Sequence, residues 1–236
     1  MRYAIYFTPV PQSALWHFGS SAIGYDAVTR ETCAFLDESL WREPAFVRAQ
    51  ESPARYGFHA TLKAPFELAS GASETVLMQR AAAFATRNAP ILLPAMEVAL
   101  LGDFVALRPL AKDAGLNRLA GACVQELDDL RGPMGDADRK RRVSQGLTTR
   151  QLAYLERWGY PYVFDEFRFH MTLTGALAET MQPRALATLT AMYGRIGTAV
   201  AIDAISLLAQ PTRDSRFHLL ERFPLRAASP AAALDR

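Results

Sequence analysis

The chain has four histidines. Two of them sit in the same five-residue frame, FHATL at Phe58–Leu62 and FHMTL at Phe169–Leu173. Repetition of Phe-His-x-Thr-Leu implies a duplicated function. Residues two apart on a strand share a face. The first frame therefore points His59, Thr61 and Lys63 one way and Phe58, Ala60, Leu62 and Ala64 the other. In the second frame Arg168, His170, Thr172 and Thr174 share a face against Phe169, Met171 and Leu173. Each strand thus offers an apolar face to a core and a polar face carrying an imidazole, a hydroxyl and a cation. Facing imidazoles suit a reaction that removes a proton at one end and supplies one at the other. Histidine serves both roles because its ordinary pKa is about 6.5. Hydrolysis of a phosphodiester is such a reaction, with hydroxyls and cations bearing on the phosphoryl oxygens.

The flanking pattern supplies the positioning elements. RYAIYFTP (Arg2–Pro9) reads as a strand on which Arg2 and Tyr6 share a face. Residues 10–53 read as irregular, with a Gly/Ser-rich loop at HFGSSAIGYD and a helix over Thr29–Leu40. RYGFHATLKAPFEL reads as a strand stopped by Pro65, and Tyr56 just ahead of it is a candidate to stack on substrate. Ser73 caps a helix reaching Arg87. MEVALLGDFVALRPL is a hairpin turning at Gly102-Asp103, and Leu116–Leu130 carries a helical apolar stripe. RGPMGDADRKRRVSQG is a polar interruption whose DRKRR reads as solvated surface. Thr148 and Gln151 form a capping-box pattern for a helix ending near Gly159. FRFHMTLTGAL is a strand, Pro183 opens a helix reaching about Ile196, and AVAIDAISLLAQP and SRFHLLERFPL are strands. The halves rhyme as strand, helix and hairpin. The two histidines are 111 residues apart, too far for a solenoid repeat.

The expected fold class is α+β, with bilobal duplicated lobes carrying antiparallel sheets about a pseudo-twofold axis and a groove between them. Residues 1–225 would form this single domain, each lobe with one motif and an insertion near 131–165. Residues 226–236 would be a flexible tail.

Paired His-x-Thr motifs in strands of a bilobal protein resemble the 2H phosphoesterase superfamily, which includes 2′–5′ RNA ligase-like proteins and cyclic phosphodiesterases. The resemblance covers Arg2 to about Leu225. It implies His59 and His170 as the catalytic pair and Thr61 and Thr172 as phosphate-binding residues. Lys63, Arg168 and Tyr56 remain candidates for substrate binding. The contexts RYGFHATLKAPF and DEFRFHMTLTG look like a narrower bacterial branch linked to phosphonate-utilisation operons, which implies a ribose cyclic phosphate as substrate. An RNA 2′–5′ ligase or RNA-end cyclic phosphodiesterase is the alternative, as is a nucleotide-binding module without turnover.

Composition bounds these readings. A net charge of +2 gives no whole-molecule field for long nucleic acid. A small phosphate ester is therefore the expected partner, with RNA second and the oligomeric state open. No HExxH frame, cysteine pair or carboxylate–histidine cluster indicates a metal, and no cofactor is expected. The two cysteines, Cys33 and Cys123, read as reduced core residues. No membrane-length apolar run occurs, so the expected location is cytoplasmic.

Overall fold

In the aromatic-rich stretch RYAIYF, odd positions meet one core and even positions another, so every residue of β1 (Arg2–Phe7) is buried. The computed structural model describes residues 1–36, 39–144, 146–197 and 199–227. Most of the expected tail, from residue 228 on, lies outside them.

Helix α1 (Ala14–Ile23) follows β1. Ser13 caps it by accepting from the Trp16 amide, and Gly24 ends it at φ 72°. The expected Gly/Ser-rich loop is therefore a helix. Its glycine serves packing: a Cβ on Gly19 would lie 2.0 Å from the Phe58 ring. The helix expected over Thr29–Leu40 does not form among the described residues. A small hairpin, β2 (Tyr25–Asp26) and β3 (Glu31–Thr32), takes its place, followed by a 3-10 turn at Ser39–Arg42. Asp26 Oδ1 accepts the Val28 and Thr29 amides, and this local turn outcompetes a helical start. Short helices α2 (Pro44–Ala49) and α3 (Glu51–Ala54) lead to β4 (Ala60–Phe66).

From there the chain follows the expected rhyme. In the first half, β4 is followed by α4 (Glu74–Arg87), β5 (Ile91–Leu93) and the hairpin β6 (Met96–Leu101) and β7 (Phe104–Pro109). Helices α5 (Ala114–Glu126), α6 (Asp136–Val143) and α7 (Thr149–Trp158) intervene. The polar interruption thus contains α6, a helix with no buried residue and so no apolar stripe to betray it. In the second half, β8 (Met171–Thr172) is followed by α8 (Gln182–Tyr193), β9 (Val200–Ile202) and the hairpin β10 (Ala204–Gln210) and β11 (His218–Pro224). The Ser73 cap and the Thr148–Gln151 capping box are both in place.

The fold class is mixed α+β with an antiparallel sheet. Seven strands run in the order β11-β10-β1-β4-β8-β7-β6, every neighbouring pair antiparallel. The halves exchange parts. The motif strand β4 joins the second half's hairpin through β1, while β8 joins the first half's hairpin. Helix α4 packs on β10 and β11, α8 packs on β6 and β7, and α5 packs on β4. The main core lies under these helices. The opposite face of β1 and β10 carries a smaller core around Tyr6, Trp16, Tyr25 and Phe217. The rest of that face is left for the polar residues of the motifs.

Pro65 does not stop β4. Phe66 still pairs with Tyr3, and Ala64-Pro65 bulge opposite Ala4, where a missing N–H is tolerated.

Gly19→Ala should overpack the α1–Phe58 contact and lower stability by about 1–3 kcal/mol. Thermal melting of the variant tests this; an unchanged Tm would show that Phe58 moves aside freely.

Candidate active site

The site begins with one backbone pairing. Ala60 on β4 is opposite Met171 on β8 in an antiparallel ladder. That register sets His59 opposite Thr172 and Thr61 opposite His170. The duplicated motifs therefore form a diagonal quartet on the face away from α5, each histidine across from the other motif's threonine. Diagonal neighbours of this kind stand about 7–8 Å apart. All four side chains are half-buried.

Both rings are oriented by main chain. His59 Nδ1 lies 2.8 Å from the Gly57 carbonyl, and His170 Nδ1 lies 2.8 Å from the Arg168 carbonyl. A carbonyl only accepts, so each Nδ1 carries the proton and each Nε2 is left for chemistry. Gly57 sits at φ 76°, the left-handed region open to glycine, and so aims its carbonyl back at the ring. In the first motif the Thr61 hydroxyl lies 3.2 Å from His59 Nε2 and donates to its lone pair.

The two rings have different surroundings. His59 lies flat on Tyr6, with centroids 3.7 Å apart and planes inclined by 21°. His170 meets Phe104 at 5.8 Å in a tilted contact. Burial pushes the His59 pKa down to about 4, with the charge of His170 adding to the effect and the bond to the Gly57 carbonyl opposing it. The ring keeps an accessible edge, but its packing on Tyr6 removes most of the hydration that a charged form requires.

Two cavities flank the quartet. One of about 240 Å³ lies beside His59 and Thr172, bounded by Tyr56, Gly57, Phe104 and Pro53. The other, of about 290 Å³, lies beside His170 and Thr61. Its wall is formed by Leu62, Leu101, Tyr160, Tyr162, Glu166, Phe167 and Arg168. Among the described residues no cluster of three or more His, Cys, Asp or Glu could hold a metal ion.

The other sequence candidates divide. Arg168 is exposed at the rim of the second cavity, its Nη1 donating to the Asp165 and Phe167 carbonyls. Tyr56 lines the first cavity while stacking on Phe217 at 5.6 Å. Lys63 is not in the groove, contrary to its expected facing. Tyr6 pairs with Thr61 but Ile5 pairs with Lys63, so Leu62 is an extra residue in β4. The bulge reverses the alternation and turns Lys63 under α5. There it is 3% exposed and donates to the Val124 carbonyl at 3.1 Å and to Asp128 at 3.0 Å. Burial pulls the Lys63 pKa down against the opposing pull of Asp128. Burial would raise the Asp128 carboxyl, but bonds from Arg131 and Lys63 outweigh it and hold it below its ordinary value. Thr174 stays on the wall of the first cavity, beside Thr172. Fully buried, it accepts the Val105 amide and donates to the Gly175 carbonyl.

The sequence pattern put Tyr6 on one face with Arg2 without assigning that face to the groove, and it did not single out Phe104, Tyr160 or Tyr162. The tyrosines follow α7, in the expected insertion, and meet edge to face at 5.5 Å. Their aromatic spacing was the available signal. Arg142 on α6 holds Tyr160 from outside, 4.9 Å from the ring centroid.

Lys63→Met should lower stability by about 1–3 kcal/mol, because Asp128 loses a partner while keeping Arg131. Ligand affinity should change little; a large loss of phosphate affinity with unchanged melting would return Lys63 to the groove. NMR titration should find the His59 ring protonating near pH 4, and a midpoint near the ordinary value of about 6.5 would contradict its burial. The unfolded chain binds more protons between those values. Stability from this group is thus complete above about 6.5 and declines as pH falls toward 4.

Residues 61–218 match the model of the family described as "Protein of unknown function (DUF1045)". The chain is 35% identical over 238 residues to ribose 1,5-bisphosphate phosphokinase PhnN of Janthinobacterium sp. (strain Marseille), covering 99% of this chain and 52% of that protein. It is 36% identical over 219 residues to the protein of the same name from Laribacter hongkongensis (strain HLHK9), covering 93% and 50%. The chain spans about half the length of these curated relatives. Among solved structures, E. coli LigT complexed with 3′-AMP is 17% identical with a TM-score of 0.45, covering 96% of this chain and 98% of that one. TT0787 of Thermus thermophilus is 14% identical with a TM-score of 0.47, covering 97% and 100%. With the family model spanning most of its length, the chain belongs to the DUF1045 family.

Proposed function

We propose that this protein is a 2H-type phosphodiesterase that hydrolyses a cyclic phosphate on a ribose, free or within a small nucleotide, without a metal. The observation that carries the reading is the diagonal quartet, in which both imidazoles hold a proton on Nδ1 and each histidine stands across from a threonine of the other strand. His59, kept neutral by burial, is the base. It takes a proton from water as the water oxygen attacks phosphorus. His170 is the acid: entering the step as an imidazolium, protonated on both nitrogens, it gives the Nε2 proton to the sugar oxygen as the P–O bond breaks and keeps the Nδ1 proton on the Arg168 carbonyl. With substrate in place the Thr61 hydroxyl turns from His59 Nε2, freeing that lone pair for water, and Thr61 and Thr172 donate to the non-bridging oxygens, while Arg168 at the rim attracts the anion. The proton gained by His59 and the proton lost by His170 are then exchanged with solvent.

The choice of a small substrate is supported by the two cavities, which are sized for parts of a nucleotide. The ribose is supported by the relatives' name, which denotes a ribose phosphate. That name also denotes a kinase, but no Gly-x4-Gly-Lys phosphate loop occurs in this sequence. A phosphodiesterase on a ribose phosphate, with a place in phosphonate metabolism, is the reading that joins these observations.

His59→Ala and His170→Ala should each lower kcat by about 10²–10⁴-fold. The double variant should be little worse than either, since paired groups are non-additive. The assay is a panel of cyclic ribose and nucleoside phosphates with a chelator present. Near wild-type turnover by either single variant would remove the paired mechanism.

A further inference from the structure

The two histidines differ, and so do the cavities beside them. Resting on the acid–base reading above, we infer that the 290 Å³ cavity walled by Tyr160 and Tyr162 is the leaving-group pocket, and that it takes a nucleobase.

Direction follows from in-line displacement. Attacking water and leaving oxygen lie on opposite sides of phosphorus, so each needs its own imidazole. His59, whose Nε2 lone pair accepts from Thr61 and whose ring lies flat on Tyr6, is the neutral ring, and it opens on the 240 Å³ cavity, which is therefore the water side. His170 opens on the 290 Å³ cavity, which is therefore the side of the departing sugar oxygen. In a cyclic ester that oxygen stays attached to the sugar, so the sugar and whatever it carries must lie there.

The lining says what the sugar carries. Leu62, Leu101 and Phe167 give the pocket an apolar wall, which the hydroxyls of a bare ribose would leave unmatched, and Glu166, accepting from Gln151, adds one carboxylate to it that can accept from a base's ring or exocyclic N–H. Tyr160 and Tyr162 stand at 80° to one another, a corner that offers a face and an edge to a planar ring. The half-buried Arg142 braces Tyr160 from the far side. Arg168 is at the rim, where its free guanidinium nitrogens can meet the ring's polar edge or the phosphate. A nitrogen heterocycle matches both the apolar corner and the polar rim. The corner comes from the insertion near 131–165, so base recognition is carried by the part of the chain that lies outside the duplicated strand–helix–hairpin plan.

The test compares adenosine 2′,3′-cyclic phosphate with a base-free ribose cyclic phosphate. Wild-type protein should favour the nucleoside substrate in kcat/KM. Tyr160→Ala and Tyr162→Ala should each reduce that preference by roughly 5- to 150-fold, the worth of one base–aromatic stack. Tyr160→Phe keeps the ring and should keep the preference, which separates lost stacking from misfolding. Calorimetry with adenosine 3′-monophosphate should show the same order of affinities without turnover. Turnover confined to the base-free substrate would overturn the base pocket and leave the phosphodiesterase reading intact. Equal losses on both substrates in the Ala variants would also overturn it. Failure of every cyclic phosphate, alongside tight and tyrosine-dependent binding of the monophosphate, would sink the phosphodiesterase reading and leave the pocket standing.

Discussion

Everything at the site hangs on the pairing of Ala60 with Met171. The β4–β8 ladder is short, and it is where the two motif strands of the sheet meet. A slip of one residue along either strand would send that strand's histidine and threonine into the core and bring phenylalanine and leucine out. The register is held from the sides, since β1 is fixed to β10 over five residue pairs and β7 to β6 over six. It is also held from below by Ala60, Met171 and Leu173, all buried. The packing of the apolar face thus determines the geometry of the polar one.

The exchange of hairpins between halves strengthens this arrangement. Each motif strand is backed by a hairpin from the other half, and each half's helix covers the other's hairpin. Neither half can close its own sheet, so the quartet is assembled only when both have folded. The buried ion cluster at Asp128 adds a further tie, joining β4 through Lys63 to Arg131 and to Arg157 on α7. Such a cluster contributes more to fixing one arrangement than to net stability.

Much of this was readable in the residues. The repeated frame located the quartet, and the alternation of its first strand was correct as far as Thr61. The capping signals at Ser73, Thr148 and Gln151 and the Gly102 turn placed their elements well because local chemistry decides them. Lys63 escaped because a bulge depends on the partner strand and leaves no mark in one strand's pattern. Helix α1 was hidden by its glycine and serines, although Ser13 and Gly24 are ordinary start and stop signals. Over Thr29–Leu40 the expected helix gives way because Asp26, just ahead of it, accepts the Val28 and Thr29 amides and sets a turn instead. The aromatic corner left only its Tyr-x-Tyr spacing as a signal, since nothing local tells which loop will fold over a distant strand.

The orientation of both imidazoles rests on carbonyl oxygens, one from Gly57 and one from Arg168. A carbonyl belongs to the backbone and survives any change of side chain. Random substitution therefore cannot delete either clamp as it could delete an aspartate in the same role. It can only tilt one by disturbing the turn that aims it, and position 57 is where that turn is least tolerant. Drift at position 168 can alter the charge at the rim while the ring beside it keeps its tautomer. The charge at the rim and the tautomer of the ring are thus separately heritable, though encoded two residues apart.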